Sequence, residues 1–340
     1  TINKKQLKMS KEHEENIKKE FAAAEGIAVE ATETPKEVVT ELGKVDVSRQ
    51  MDHTSPDDPE IKRLNSMVGY TALNLSKFPS KGKFYRDDFE IHIRAARVAE
   101  VRAFSTVDEN NLKEVDDGLN NIVLSCTKIL YGNQRGSYKD VLEEDRIYLI
   151  LAIRELTFKT GEQTLMMPVG KKGCKQNNCK AQESVELRTE NLQFNNVIDT
   201  IEKYYDPTDK CYTVATKNYG EIKMAPPTIG VMRAITDYIR DREEKNQSWD
   251  KSTLAILPYL QREWRGWNEK DIFAKITSFQ GWDATKYTIV YRLAEDMKVG
   301  VKPEMGFPCK SCGEEVTVPL TFPGGIKALF VIPDISSELL

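Results

Sequence analysis

Two cysteine pairs constrain this chain more than any other feature, namely Cys174-Lys-Gln-Asn-Asn-Cys179 and Cys309-Lys-Ser-Cys312-Gly313. Each short spacing can present two thiolates to one metal ion, and together they supply the four sulfurs of a closed tetrahedral zinc site. A closed site leaves no position for water or substrate, so its role would be structural. One shared ion would clip the stretch between residues 174 and 312 into a metal-closed loop. The alternative is ordinary thiols without metal.

The other two cysteines, Cys126 and Cys211, stand alone. No apolar leader opens the sequence and no run of eighteen apolar residues occurs, so a reducing cytoplasm and no membrane span are expected. Disulfides are disfavoured there. A redox Cys-x-x-Cys would follow a strand and open a helix, where the dipole lowers the thiol pKa. Here Gly313 follows the second pair, and Glu314–Val318 reads as a strand. Glycine permits the left-handed turn of a zinc knuckle. The first pair lacks that glycine, being followed by Lys180.

With 340 residues the chain can bury a sizeable core, and two folded domains are expected. Its formal charge of −4 gives no global basic field, which argues against nucleic acid as the main partner. Charge is uneven, however. Residues 1–60 hold nine Lys/Arg against fourteen Asp/Glu and a single aromatic, Phe21, while the rest is near neutral. This segment is poor in large apolar residues and broken by Thr34-Pro35 and Ser55-Pro56-Asp57-Asp58-Pro59. It is read as an extended acidic arm over residues 1–65 that wraps neighbouring subunits.

The folded part is read in two portions, a hairpin plus helical domain over 66–162 and a zinc-clipped β region over 163–340. Tyr70–Leu75 and Glu90–Ile93 alternate like half-buried strands around the turn Phe78-Pro79-Ser80-Lys81-Gly82-Lys83-Phe84-Tyr85. Helices are expected near 95–105, 110–130 and 140–158, the last with an apolar stripe of Ile147, Leu149, Ile150, Ile153 and Leu156. Strands are expected from Gln163, and at Val185–Leu187, Tyr212–Val214 and Glu221–Met224. After Pro226-Pro227 a helical insertion spans about 226–299, with helices near 228–244, 251–263, 268–279 and 283–298. Asp250 and Asp283 stand where N-caps belong. Trp249, Trp264, Trp267 and Trp282 all fall in this block and are read as core, with an exposed partner surface as the alternative. The fold class is α+β, with helical segments, a small β region and a zinc-ribbon-like site behind the arm.

Catalytic chemistry is poorly supplied, and the chain is expected not to be an enzyme. Of three histidines, His13 and His53 lie in the arm and His92 sits in a strand, leaving no triad or histidine-metal site. No phosphate-cradling glycine motif occurs. The neighbouring pairs Asp116-Asp117 and Glu143-Glu144 read as solvated faces, because adjacent residues on a helix do not converge. Lys171, Lys172 and Lys175 read as a solvated loop around the first cysteine pair.

The turn Phe-Pro-Ser-Lys-Gly-Lys-Phe-Tyr at 78–85, followed by Ile-His-Ile-Arg at 91–94, resembles the opening signature of baseplate hub proteins of T-even-like contractile-tail bacteriophages. The segment Asp145-Arg-Ile-Tyr-Leu-Ile-Leu-Ala-Ile-Arg154 is similar to that family's central segment. A zinc-type pair, a helical block and a C-terminal Cys-x-x-Cys-Gly follow in the same order, so the similarity covers about residues 70–330. The chain departs from the family in its long arm and helical block, and in the four-residue gap between Cys174 and Cys179 where two is more usual. That last departure bears on the shared metal and leaves the hub assignment standing. The resemblance implies a structural component of the virion tail baseplate, assembled in the host cytoplasm and binding other hub and tail proteins. Its alternatives are a transient hub-assembly chaperone and, from another class, a zinc-ribbon nucleic-acid-binding protein.

Overall fold

The structure is a computed structural model that describes residues 68–158, 165–168, 184–260, 269–322 and 325–331. All of them belong to one unit, Asp57–Leu340. The arm, and with it His13 and His53, lies outside the described residues, as do Cys174, Cys179, Trp264 and Trp267. Helices and antiparallel sheets are mixed throughout, which makes the fold α+β.

A four-stranded antiparallel sheet opens the fold, in the order β1 (Thr71–Ala72), β2 (Phe89–Ile93), β3 (Thr127–Tyr131), β4 (Gln134–Arg135). In β2 the side chains of Phe89, Ile91 and Ile93 point into the core while Glu90 and His92 face outward, and Ile91 stands opposite Ile129 of β3. This period-two alternation places the apolar set on one face. The first expected strand is shorter than its pattern suggested. After Ala72 the chain turns into a 3-10 helix over Leu75–Lys77, capped by the Asn74 side chain, which accepts from the N–H of Ser76.

Helices α1 (Val98–Ser105) and α2 (Leu112–Cys126) pack against each other and connect β2 to β3 along the chain. Asn111 caps α2 by accepting from the N–H groups of Lys113 and Glu114. Leu119, Ile122, Val123 and Cys126 form its buried stripe. The helix expected to reach residue 130 stops at Cys126, and Thr127–Tyr131 is strand β3. Thr127, Ile129 and Tyr131 are β-branched or aromatic at alternate positions, which favours a strand once β2 offers a ladder.

Helix α3 (Arg146–Thr157) is the centre of the core, with every side chain from Tyr148 to Ile153 buried and Arg154 nearly so. It follows a 3-10 turn over Glu143–Asp145 rather than starting at residue 140. Next come two antiparallel ribbons. One pairs β5 (Met166–Pro168) with β6 (Ser184–Glu186), and a three-stranded sheet joins β7 (Tyr205–Asp206), β8 (Cys211–Thr216) and β9 (Gly220–Met224), with the short α4 (Asp199–Glu202) before it.

The helical block contains α5 (Ile229–Glu244), α6 (Lys251–Ile256), α7 (Glu269–Gln280) and α8 (Ala284–Asp296). The expected caps Asp250 and Asp283 are found, and Thr228 is a third. Thr228 accepts from Val231 N–H, Asp250 from Ser252 and Thr253, and Asp283 from Lys286. Trp249 and Trp282 pack against the core, the latter stacked on Phe279 with ring centroids 4.2 Å apart. The chain closes with the hairpin β10 (Glu304–Pro308) and β11 (Glu315–Pro319), then a 3-10 turn over Ile326–Leu329 that seats Phe330 on Phe104.

Candidate metal centre

Cys309 and Cys312 sit at the tip of the β10–β11 hairpin. Five residue pairs hold the strands in register, from Glu304 opposite Pro319 to Pro308 opposite Glu315. Beyond the last pair, Cys309 N–H donates to Glu314 O at 2.8 Å and Gly313 N–H donates back to Cys309 O at 2.8 Å. Gly313 adopts φ 77°, the left-handed conformation that closes this turn. Space would admit a side chain there, so the backbone angle alone calls for glycine. Cys309 is buried and Cys312 exposed.

The other pair, Cys174 and Cys179, falls outside the described residues, yet the strands on either side of it are placed. Residues 169–183 join β5 to β6, which are paired from Met166 opposite Glu186 to Pro168 opposite Ser184. Strand β5 also packs against β11. The two hairpins whose connections carry the cysteine pairs are therefore neighbours. The described donors suit zinc: two soft sulfur ligands at a two-residue spacing on a hairpin tip. Among the described residues no group of three or more His, Cys, Asp or Glu side chains gathers around a possible ion, and two of the four expected ligands lie within that set.

Between these hairpins runs residues 187–195, which is tied on both sides. Towards α3, Thr189 donates to Glu155 through its N–H at 2.5 Å and its hydroxyl at 2.8 Å. Towards β10, the Gln193 amide behaves like an extra strand residue, donating to Gly306 O at 2.5 Å and accepting from Gly306 N–H at 3.1 Å. Phe194 bridges to Val301, and Lys302 N–H donates to Gln193 O.

A second polar centre lies under the turn at 78–85. Asp145 is fully buried and accepts three hydrogen bonds, from Ser80 N–H at 2.9 Å, Ser80 hydroxyl at 2.6 Å and Tyr85 hydroxyl at 2.8 Å. Tyr85 in turn accepts from Leu142 N–H at 3.0 Å. Burial pushes the Asp145 carboxyl up to about 6, against the pull of those three donors. Burial and the Asp145 charge push the Tyr85 hydroxyl well above its ordinary value. Being sealed from solvent, this centre acts as a structural pin.

The carboxylate pairs behave differently from one another. Asp116 and Asp117 diverge as helical geometry requires, Asp116 pairing with Arg146 at 2.5 Å and Asp117 with Arg233 at 2.8 Å. The Glu143-Glu144 pair corrects the expectation of a solvated face. Glu143 is largely covered and pairs with Arg146 at 2.9 Å, while Glu144 Oε2 is buried with no hydrogen-bond partner. Burial holds the Glu144 carboxyl well above the usual carboxylate range. Tertiary packing is the reason, since the 3-10 turn Glu143–Asp145 sits against the core at the start of α3, where its side chains are covered by neighbouring elements. His92 lies in strand β2, as read from the sequence, and its ring Nε2 stands 2.9 Å from Glu90 Oε2.

A cleft of about 240 Å³ opens between α1 and α2, lined by Phe104, Val107, Ile122, Glu100, Glu114 and Asp117. Glu100 is bound to Arg94 at 2.5 Å and Asp117 to Arg233, and Glu114 accepts from Asp108 N–H and the Asn111 amide, so all three of its acids have partners. Sequence reasoning missed the Asp145 pin. Its one local signal was an acid standing directly before the apolar stripe of α3. No protein-family model, curated protein or solved structure matches the chain.

Proposed function

We propose that this chain is a structural component of a phage tail baseplate hub, located in the virion tail and braced by a structural zinc on Cys174, Cys179, Cys309 and Cys312. One observation carries the hub reading. The two segments on which the resemblance rests, Phe78–Tyr85 and Asp145–Arg154, fold against each other as one buried unit. Asp145 takes three hydrogen bonds from the turn, and Phe78 packs on Tyr148 with ring centroids 4.8 Å apart. Two short motifs that look unrelated in sequence thus form a single polar and aromatic centre, which supports reading them together as one signature.

Zinc, when bound, would supply a cross-link and no chemistry. Cys309, anchored in the core, would hold the ion against the hairpin, and Cys312 would close it from the solvent side. The adjacency of β5 and β11 supports joining both cysteine pairs on one ion. Such a clip suits a subunit that must keep its shape while force passes through its neighbours. The arm at residues 1–65 is proposed to contact those neighbours, where ordering it costs entropy that many contacts must offset. Among the described residues no helix is long and apolar enough to cross a membrane.

The test is to follow the chain through phage assembly by mass spectrometry of purified tails and of baseplate intermediates. The hub reading expects it at fixed stoichiometry in both. Presence in intermediates alone would replace the hub subunit with an assembly chaperone. Absence from both, with salt-dependent binding to nucleic acid, would favour the zinc-ribbon alternative.

A further inference from the structure

We infer that Arg242, with the exposed ring of Phe273 beside it, is an anchor for a carboxylate on a partner protein chain. The inference concerns the helical block alone and stands apart from the zinc and hub readings.

Arg242 differs from the other basic residues of α5 and its C-terminal cap. Arg233 pairs with Asp117, Arg240 with Asp237 and Glu244, and Lys245 with Asp241. Arg242 has no carboxylate partner among the described residues, and its Nε is buried without a hydrogen-bond partner. An unmatched cationic donor in a native fold calls for a physical reason.

The guanidinium is nonetheless held in place. It lies over the ring of Tyr238, one turn back on the same helix, at 5.2 Å from the centroid, and over that of Phe273 on α7 at 5.6 Å. One terminal nitrogen donates to Gln247 Oε1 at 2.6 Å, and Gln247 N–H donates back to Arg242 O at 2.8 Å. Rings and loop thus fix the fork before any ligand arrives, which lowers the ordering cost of binding. Arg242 is half-buried rather than sealed, so a ligand can reach it. Part of its hydration is already gone, and pairing here is worth more than between two fully exposed side chains.

The surroundings have the composition of an interface centre. Phe273 is 52% exposed. The exposed side chains described on α7, at Phe273, Ala274, Thr277, Ser278 and Gln280, carry no charge. Their helical spacing puts the first four on one face. An aromatic and an arginine amid few charges are the residues that carry most of the binding energy at protein interfaces.

The chemistry selects the occupant. A guanidinium fork matches a carboxylate through two parallel hydrogen bonds, and apolar neighbours of that acid would cover Phe273. A nucleic-acid backbone also fits the fork but needs several free cations in a row. Here the neighbouring cations are matched with acids, and the chain carries a formal charge of −4. One acidic side chain within an apolar segment fits best.

The experiment titrates the full chain with the peptide acetyl-Leu-Asp-Leu-amide, its Asn counterpart and inorganic phosphate, reading the Arg242 Nε–H and Phe273 ring signals by NMR. The aspartyl peptide is expected to shift both signals and to bind about tenfold more tightly than the asparaginyl one, as a charge-assisted pair requires. Arg242→Gln should abolish that preference, whereas Arg240→Gln, on the same helix but already paired, should keep it. Arg242→Lys retains the charge without the fork and should lose most of the preference, which covers a failure of Arg242→Gln to fold. Equal binding of the two peptides, binding of neither, or a preference that survives both Arg242 variants overturns the anchor. Phosphate that shifts Arg242 as strongly as the aspartyl peptide would make this a general anion site and overturns the choice of a protein carboxylate.

Discussion

Asp145 and Ser80 stand 65 positions apart in the chain and are joined twice, the carboxylate accepting from both the backbone N–H and the hydroxyl of Ser80. The pair locks the turn at 78–85 onto the start of α3. A serine hydroxyl that caps a buried acid from another part of the chain cannot be replaced without leaving a charged acceptor short of donors.

Ser80→Ala and Tyr85→Phe each remove one donor from that acceptor. Each is expected to cost about 1–3 kcal/mol, because a buried polar group left unsatisfied carries its full desolvation penalty. The double variant should cost less than the sum, since both side chains serve one carboxylate. Urea titration of the four proteins in a double-mutant cycle checks this, and strict additivity would show that the three groups do not act as one network.

Stability should depend on the protonation of Asp145 with a defined sign. Its folded value of about 6 lies above the ordinary 3.8, so folding favours the protonated acid. The contribution is full below about pH 3.8 and is lost as pH rises to about 6. Glu144, also raised by burial, adds in the same direction. The difference in melting temperature between wild type and Asp145→Asn, followed across pH 4–7 at fixed metal content, isolates the slope. Parallel curves for the two proteins would reject it.

Asp250 titrates the other way. Hydrogen bonds from Ser252 and Thr253 hold its carboxyl at about 2, so its cap is present above pH 3.8 and weakens as pH falls towards 2. Asp250→Ala should cost about 1 kcal/mol at neutral pH through loss of the N-cap of α6. That deficit should shrink in acid, which calorimetry at pH 7 and pH 2.5 can read.

Gly230 lies where α5 passes the 3-10 turn at Tyr138–Asp140, and a Cβ there would sit 2.9 Å from Lys139 Cβ and 3.0 Å from Lys139 O. The backbone atom cannot move aside cheaply. Gly230→Ala is therefore expected to destabilise by about 1–3 kcal/mol despite its better helix propensity. A neutral or raised melting temperature would show that the two elements separate without cost.

Cys309→Ser and Cys312→Ser should each release zinc, because a missing thiolate opens the tetrahedral site. Elemental analysis with thiol titration on the purified chain provides the baseline, with one zinc and four thiols freed on chelation expected. A Cys312→Ser protein that keeps full zinc would remove that residue from the ligand set.

The sequence by itself determined the local pieces. Period-two alternation marked β2, Asp caps marked α6 and α8, and the glycine after Cys312 marked the left-handed turn. These features depend on backbone preferences and side-chain spacing within a few residues. It misjudged Cys126–Tyr131, where a helix hands over directly to a strand, because the outcome depended on the ladder offered by β2. Tertiary structure alone decided that Asp145 would be buried beneath Ser80 and Tyr85, that Glu144 would turn inward, and that the hairpins carrying the cysteine pairs would be neighbours. Each of these is a contact between segments distant in the chain. Its energy comes from desolvation and packing, which have no period for the sequence to display.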